Sequence, residues 1–319
     1  MLQERIGLFS LFLSLCLVGP PGFGASLAPS VEVRNSEVWV IHDGQQKRLT
    51  NDHKAKLQAV LSPGADKIAY FLQCSQGEQC TPSIVMLDLD GHHLAEFQPI
   101  SEATQPPAAC ASILAIVWVG DDSIAAECHV NPSLSEYIET NLATGQVTRD
   151  LFGGDFAPAP NRRYVAHVAG FPHFAPPYAQ SNYLQLDSTT IYPLPEGMGP
   201  VEQRNSTSPP EVVRKNGPTY TGIHEFMPGL VWSPDSQHLA LIDCTYDWTP
   251  NQEASLSAAD GKESNRLCAA VAVSRAGKSV RVPLGGLSAG EIRDVRLSWL
   301  DGQTLQVQTG DGKKTLNAP

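Results

Sequence analysis

The one segment that matches a catalytic motif is GLSAG, residues 286–290, which has the G-x-S-x-G pattern of serine hydrolases. In those enzymes the serine lies on a strand-to-helix turn and needs a histidine later in the chain as general base. Here another strand is expected next, and the last histidine is His238. The sequence also contains no H-E-x-x-H, Walker or C-x-x-C motif. We therefore expect GLSAG to be a chance match, and we expect no cofactor and no metal.

A second chemically reactive group is the set of cysteines. An even number of cysteines in an exported chain predicts disulfide bonds. Six cysteines allow fifteen pairings, which the sequence does not distinguish, but because they follow one another as neighbours we expect local pairing. The six that follow residue 24 are Cys74, Cys80, Cys110, Cys128, Cys244 and Cys268.

Aromatic and histidine side chains form a third group, in segments expected to be loops. Aromatic side chains contribute large contact areas with few rotatable bonds, which suits a protein, peptide or carbohydrate ligand. The alternative is that part of the set packs beneath its own loops. The predicted binding residues are Phe171, His173, Phe174, Tyr178, Tyr220, Phe226, Tyr246 and Trp248.

A repeated unit of two short apolar strands joined by a polar turn must position these residues. Proline presets the backbone of the turn, and Asp, Asn and Gly accept the tight conformation that follows it. Three of the copies carry a tryptophan that we expect in the core. The copies are AVLSPGADKIAYF (59–71), IVWVGDDSIAAEC (116–128), FAPAPNRRYVAHV (156–168), LVWSPDSQHLALI (230–242) and RLSWLDGQTLQVQ (296–308).

The first four copies are each followed by a further pair of strands, which gives units of four strands. The fifth copy has no such follower, whereas SEVWVIHDGQQKRLT, residues 36–50, is a strand pair with no copy before it. This pattern predicts an all-β fold, a five-bladed β-propeller closed by N-terminal strands that pair with C-terminal strands. Six blades are possible, because the long interval between the third and fourth copies could hold another. A β-sandwich is the alternative.

Two stretches, LTNDHKAKLQAVLSPGADKIAYF and VWSPDSQHLAL, resemble the TolB-type, WD-like propeller repeat of bacterial periplasmic proteins. The consensus of that repeat is Leu-Thr, a spacer, and then Ser-Pro-Asp-Gly-Lys-x-Ile-Ala. The resemblance extends over most of the chain and implies a propeller fold and binding to envelope proteins. It does not extend to the helical N-terminal domain of TolB, because blade strands are expected to begin near Val38.

The predicted binding face follows from the unequal lengths of the loops. If the strands of a blade are labelled A to D from the axis outwards, the long loops join B to C and D to A and open on one face. Insertions collected on one face are typical of a binding surface. We expect an envelope protein, or a peptide or glycan ligand, to bind there. The alternative is a five-bladed, arabinanase-like glycosidase with Asp155, Glu225 and Asp294 as carboxylates at the central mouth.

Charge and the N-terminal residues indicate where the protein acts. A net charge of −11 without a basic cluster argues against nucleic acid as a partner. Residues 1–24 have the order of a secretory signal peptide, with an apolar run followed by small and helix-breaking residues. We therefore expect a signal peptide at 1–24, a short leader at 25–35 and a single propeller domain at 36–319. The mature chain is expected to lack a membrane span and to be periplasmic or secreted.

Overall fold

The fold was analysed in a computed structural model, which describes residues 28–73, 81–104, 106–131, 134–169, 181–202, 214–251, 261–285 and 289–319. Strands make up most of this part of the chain, so the predicted all-β class is confirmed. The described residues contain one short helix, α1 (Ala289–Arg293), and no helix long and apolar enough to cross a membrane.

Apart from one two-stranded ribbon, the strands form six antiparallel sheets, numbered here in chain order, in which consecutive strands pair. Sheet 1 contains β1 (Ser30–Arg34), β2 (Glu37–His42) and β3 (Gln45–Arg48). Sheet 2 contains β4 (Lys56–Leu61), β5 (Lys67–Leu72), β6 (Ser83–Asp88) and β7 (His93–Phe97). A two-stranded ribbon, β8 (Ile100–Ser101) and β9 (Ala108–Ala109), follows it. Sheet 3 contains β10 (Ile113–Gly120), β11 (Ser123–Asn131), β12 (Leu134–Asn141) and the first half of β13 (Val147–Pro158).

The second half of β13 begins sheet 4, so these two sheets share one continuous strand. Sheet 4 continues with β14 (Val165–Ala169), β15 (Tyr183–Leu186), β16 (Thr189–Tyr192) and β17 (Val201–Glu202). Sheet 5 contains β18 (Arg214–Asn216), β19 (Thr219–Trp232), β20 (His238–Pro250), β21 (Gly261–Ser274) and β22 (Ser279–Pro283). Sheet 6 contains β23 (Arg296–Trp299), β24 (Thr304–Thr309) and β25 (Gly312–Asn317).

The Ser-Pro turns of the repeat close their hairpins with a buried serine. The Ser233 hydroxyl accepts a hydrogen bond from the His238 backbone N–H at 2.9 Å, and Ser62 does the same for Lys67 at 3.0 Å. Both serines are buried, so a nonpolar side chain there would leave these polar groups without a partner. The serine of the motif therefore fixes the turn, and the apolar strands on either side fill the core.

Each sheet packs face to face on the next sheet in the chain, and we call each such interface a seam. The strand β20 shows why: Leu239 and Leu241 face sheet 4, whereas Ala240 and Ile242 face sheet 6. A strand buried on both faces needs apolar residues at every position, which accounts for the run LALI. Five hydrophobic cores fill the five seams between successive sheets. Successive antiparallel sheets packed in this way have the architecture of propeller blades.

Three of these seams are each spanned by a tryptophan of the repeat. In each case the indole N–H donates to a backbone carbonyl of the repeat strand in the preceding sheet. The accepting residue lies one position before the residue that is equivalent to the tryptophan. The remaining two seams have Leu61 and Pro158 at that position. The three hydrogen bonds are Trp118 to Val60 (3.2 Å), Trp232 to Ala157 (2.7 Å) and Trp299 to Val231 (3.0 Å).

Among the described residues the two ends of the chain form separate sheets, so the expected closure of a fifth blade by pairing of N-terminal with C-terminal strands is not confirmed. Residues 30–34, expected to be part of a leader, form β1 and pair with β2, and residues 312–317 form β25 and pair with β24. Sheets 1 and 6, at the two ends of the chain, therefore each take all three of their strands from adjacent segments of the sequence. Within the described residues no strand of sheet 1 pairs with a strand of sheet 6, and no hydrophobic core joins them.

Candidate functional site

Sheet 5 carries an arm formed by the outer parts of its longest strands. The arm comprises residues 214–225, 245–250 and 261–267, and the strands β19, β20 and β21 continue through it as paired β-structure. Much of this region was expected to be loop, and that expectation was wrong for the described part. Side chains change from buried to half-buried or exposed just beyond Cys244 and Cys268. The arm is thus a ladder that leaves the core and continues outwards.

A disulfide bond crosses the base of the arm. Cys244 and Cys268 lie opposite each other on β20 and β21 and are bonded, so the two strands are covalently joined where the core ends. The second disulfide joins Cys110 to Cys128, at the start of sheet 3. Both bonds join cysteines that follow each other in the sequence with no other cysteine between them. The other two predicted partners, Cys74 and Cys80, lie outside the described residues.

One face of the arm displays an aromatic and arginine cluster. The guanidinium of Arg266 lies 4.8 Å from the centre of the Tyr246 ring and is paired with Glu225 at 2.6 Å and with Glu263. These carboxylates raise the pKa of Arg266 further above its ordinary value by hydrogen bonding. Burial raises the pKa of the Tyr246 hydroxyl to about 12, so the phenol stays neutral. The cluster therefore presents an always-charged cation stacked on a neutral ring.

Trp248 lies on the same edge of the arm and is held by a glycine. A Cβ atom added to Gly261 would lie 2.1 Å from Cζ2 of the indole, which is far too close for any side chain. Glycine at this position therefore leaves room for the indole beside β21. Tyr220 on β19 is the register partner of Trp248 and is half-buried. The arm thus brings together three of the predicted binding residues.

The other predicted aromatic residues have different positions. Phe226 is buried in the core of the seam between sheets 4 and 5 and stacks on Tyr192, with ring centres 5.9 Å apart. It is a core residue rather than a displayed one, and the prediction for it was wrong. The remaining predicted binding residues, Phe171, His173, Phe174 and Tyr178, lie outside the described residues.

The three carboxylates of the glycosidase alternative have separate surroundings. Asp155 accepts hydrogen bonds from the backbone N–H groups of Gly229 (2.8 Å) and Leu230 (3.2 Å), and burial raises its pKa. Glu225 is occupied by Arg266, and Asp294 is exposed just after α1. Because Asp155 anchors β19 to β13, its geometry is that of a structural acceptor. No two of the three carboxylates share a partner among the described contacts.

A cavity of about 490 Å³ lies beside the base of the arm, between the outer strands of sheets 4 and 5. Its wall includes Tyr192, His224 and Arg281, which surround the carboxylate of Asp243. Asp243 is fully buried and is in phase with Leu239 and Leu241 on β20. The sequence analysis missed this site, although an acidic residue in phase with two core leucines was a usable signal.

No protein-family model and no curated protein sequence matches the chain. Among solved structures, it is similar to TolB from Acinetobacter baumannii, with 15% identity over 91% of this chain and 63% of that one, and a TM-score of 0.36. It is similar to a eukaryotic initiation factor at 11% identity, with 91% and 63% coverage and a TM-score of 0.43. It is also similar to the β-propeller domain of the trilobed protease from Pyrococcus furiosus, with 10% identity over 91% of this chain and 80% of that one, and a TM-score of 0.41. The chain thus spans about three-fifths of the first two structures. Its class follows from its own sheets: an all-β protein built of propeller-type blades.

Proposed function

We propose that this protein is a non-catalytic binding module of the cell envelope, with TolB-like repeats, which holds an envelope protein against the arm. We further propose that the six sheets are six propeller blades. The observation that carries the function is the arm itself, because strands that continue beyond their core carry half-buried aromatic residues on a paired β-ladder. Trp, Tyr and Arg are the side chains that contribute most to binding at protein interfaces. Tyr246, Trp248 and Arg266 provide one of each.

Export is the second part of the proposal. Two disulfides lie in the described part of the chain, and disulfides are typical of proteins that fold in an oxidising compartment. Residues 1–24 are proposed as the signal peptide that takes the chain there. The bond between Cys244 and Cys268 would then form after export and would fix the base of the arm before a partner binds.

The test is affinity capture from a membrane and periplasmic extract, followed by quantitative mass spectrometry. The bait is the oxidised protein, compared with a Tyr246→Ala, Trp248→Ala double variant. Removing two central aromatic side chains should lower the recovery of a specific partner at least about tenfold. Gly261→Ala should act in the same direction, because the added methyl displaces the indole without removing it.

The matched control is Trp39→Ala. Trp39 also lies beside an arginine, with Arg34 at 5.8 Å from its ring, but it belongs to sheet 1 at the other end of the chain. Capture that survives the arm variants while their melting temperatures fall would show that the aromatic residues only stabilise the arm. A glycan array in parallel tests the glycosidase alternative, since glycan binding lost on Asp155→Asn or Glu225→Gln would favour it.

A further inference from the structure

The cavity between sheets 4 and 5 has one polar wall and one mainly apolar lip. The polar wall is formed by Tyr192, His224, Ser279 and Arg281 from strands of both sheets. Residues 193–198 form the lip, which includes two prolines, Leu194 and Met198. A cavity of about 490 Å³ falls within the range usual for small-molecule sites. The accessible lining is mainly polar, with an apolar part at the lip, so it suits a small polar ligand with a short carbon skeleton.

A buried network fixes the polar wall. Asp243 Oδ2 accepts hydrogen bonds from the Tyr192 hydroxyl at 2.6 Å and from His224 Nδ1 at 2.8 Å. Arg281 Nη1 lies 2.8 Å from the Tyr192 oxygen and 3.1 Å from Asp243 Oδ2. Because Asp243 is fully buried, its charge needs these partners, and they in turn hold the guanidinium in one orientation. The network thus holds Arg281 through its Nη1 atom alone.

The described residues leave the rest of the guanidinium for a ligand. Arg281 is about one-third exposed (36%) and lines the cavity, and its Nε and Nη2 have no partner among the described residues. An arginine side chain carries donors and no acceptor, and its planar edge matches the two oxygens of an oxyanion. Ser279 adds a hydroxyl to the same wall. The cavity therefore offers donors to an acceptor ligand.

The charges around the cavity disfavour a dianion. Arg281 is the one lysine or arginine among the described residues of the lining, part of its charge is balanced by Asp243, and Glu196 lies on the lip. A dianionic phosphate would need more positive charge than this, whereas a carboxylate needs one arginine edge. The apolar part of the lip, Leu194 and Met198, can cover a hydrocarbon skeleton.

We propose that the cavity binds a small organic carboxylate, with its two oxygens on the Nε and Nη2 edge of Arg281 and its skeleton against the lip. The carboxylate belongs either to a free organic acid or to the C-terminus of a short peptide. This site is separate from the aromatic face of the arm, so it does not depend on the proposed envelope partner.

The experiment is isothermal titration calorimetry of the oxidised full-length mature protein with benzoate. Benzamide, which has the same shape without the charge, is the matched control ligand. We expect saturable binding of benzoate with a Kd of about 1 mM or tighter, and no binding of benzamide. The tripeptide Ala-Ala-Phe and its C-terminal amide distinguish the peptide source from the free acid. Arg281→Gln should weaken binding at least about tenfold. Arg275→Gln, at the neighbouring turn and stacked on Tyr164, should leave binding unchanged.

The proposal does not depend on the folding of the Arg281→Gln variant. In the wild-type protein, benzoate should slow the modification of Arg281 by phenylglyoxal, measured by peptide mass spectrometry, without protecting Arg275. The proposal is overturned if neither benzoate nor the tripeptide shows saturable binding, if inorganic phosphate binds more tightly than both, or if bound ligand leaves Arg281 unprotected.

Discussion

The two faces of sheet 4 are packed in different ways. Towards sheet 5, fourteen buried apolar residues form one core, which includes Trp232 with its hydrogen bond to Ala157. Towards sheet 3, the buried apolar core consists of Val119, Ala125, Tyr137 and Val165. The same sheet thus joins one neighbour through a large apolar core and the other through a small one.

The contents of the small seam explain how it is held. Arg149 pairs with Glu139 and, at 2.8 Å, with Asp187, so an ionic cluster fills space that apolar side chains fill elsewhere. His167 lies behind it, fully buried, with its ring stacked on Phe156 at 5.5 Å. The repeat position that holds tryptophan in sheet 5 is Pro158 in sheet 4. The residue at this repeat position therefore differs between the two seams, with tryptophan in the apolar seam and proline in the polar one.

The largest expected effect is that of Trp232→Ala. The substitution leaves a cavity in the apolar seam and removes the bond to Ala157, so the free energy of unfolding should fall by about 3 to 5 kcal/mol. Phe156→Ala, in the polar seam, should cost less because Phe156 is half-buried. Urea denaturation of both variants measures the difference. Equal losses would mean that the two seams contribute alike.

A smaller effect is expected for Arg149→Ala. Removing the arginine leaves Glu139 and Asp187 as half-buried or buried charges without their cation, which should cost about 3 kcal/mol. The control is Arg34→Ala, whose pair with Glu32 is exposed on sheet 1 and should be worth less than about 1 kcal/mol. If the two substitutions have the same cost in urea denaturation, the ionic cluster does not hold the seam.

The smallest effect near neutral pH should come from His167. Burial lowers the pKa of this histidine to about 4, so the ring is neutral in the folded protein. A lowered folded-state pKa means that its stabilising contribution is complete above pH 6.5 and is lost as the pH falls from 6.5 towards 4. Between pH 7 and pH 6 the loss should be below about 1 kcal/mol.

The variant His167→Gln provides the comparison for that pH dependence. Glutamine does not titrate and can still donate to the Asp187 carbonyl, which His167 Nε2 contacts at 2.8 Å. Urea midpoints measured from pH 7 to pH 5 should fall faster for the wild type than for the variant. Parallel curves would show that His167 does not sense pH.

The strands with apolar runs bounded by turn residues could be predicted from the sequence, and those without such runs could not. The five copies of the repeat correspond to strand pairs in sheets 2 to 6, because short apolar runs on both sides of a polar turn are typical of buried strands. The strands β1 and β25 were missed, since SVEVR is short and GKKTLN is almost entirely polar. Their stability comes from pairing with a neighbouring strand, which local residue types do not reveal.

The arm and the cavity were not predictable in this way. TYDWTP and GKESN contain no apolar run, which is typical of a loop, although they form a ladder beyond the disulfide. Tyr246 and Trp248 were identified as binding candidates from residue type alone. The cavity requires Tyr192 and Arg281 to meet across two sheets, 89 positions apart in the chain, and no local pattern encodes that meeting.

The order of the five described seams along the sequence has a consequence for how the chain acquires its structure. Each of the five described cores joins sheets that are consecutive in the sequence, so none has to wait for the far end of the polypeptide. A chain that is synthesised from its N-terminus can therefore add one sheet at a time to the sheets already formed. Contacts between neighbours in sequence also favour rapid folding, since little entropy is lost in closing long loops.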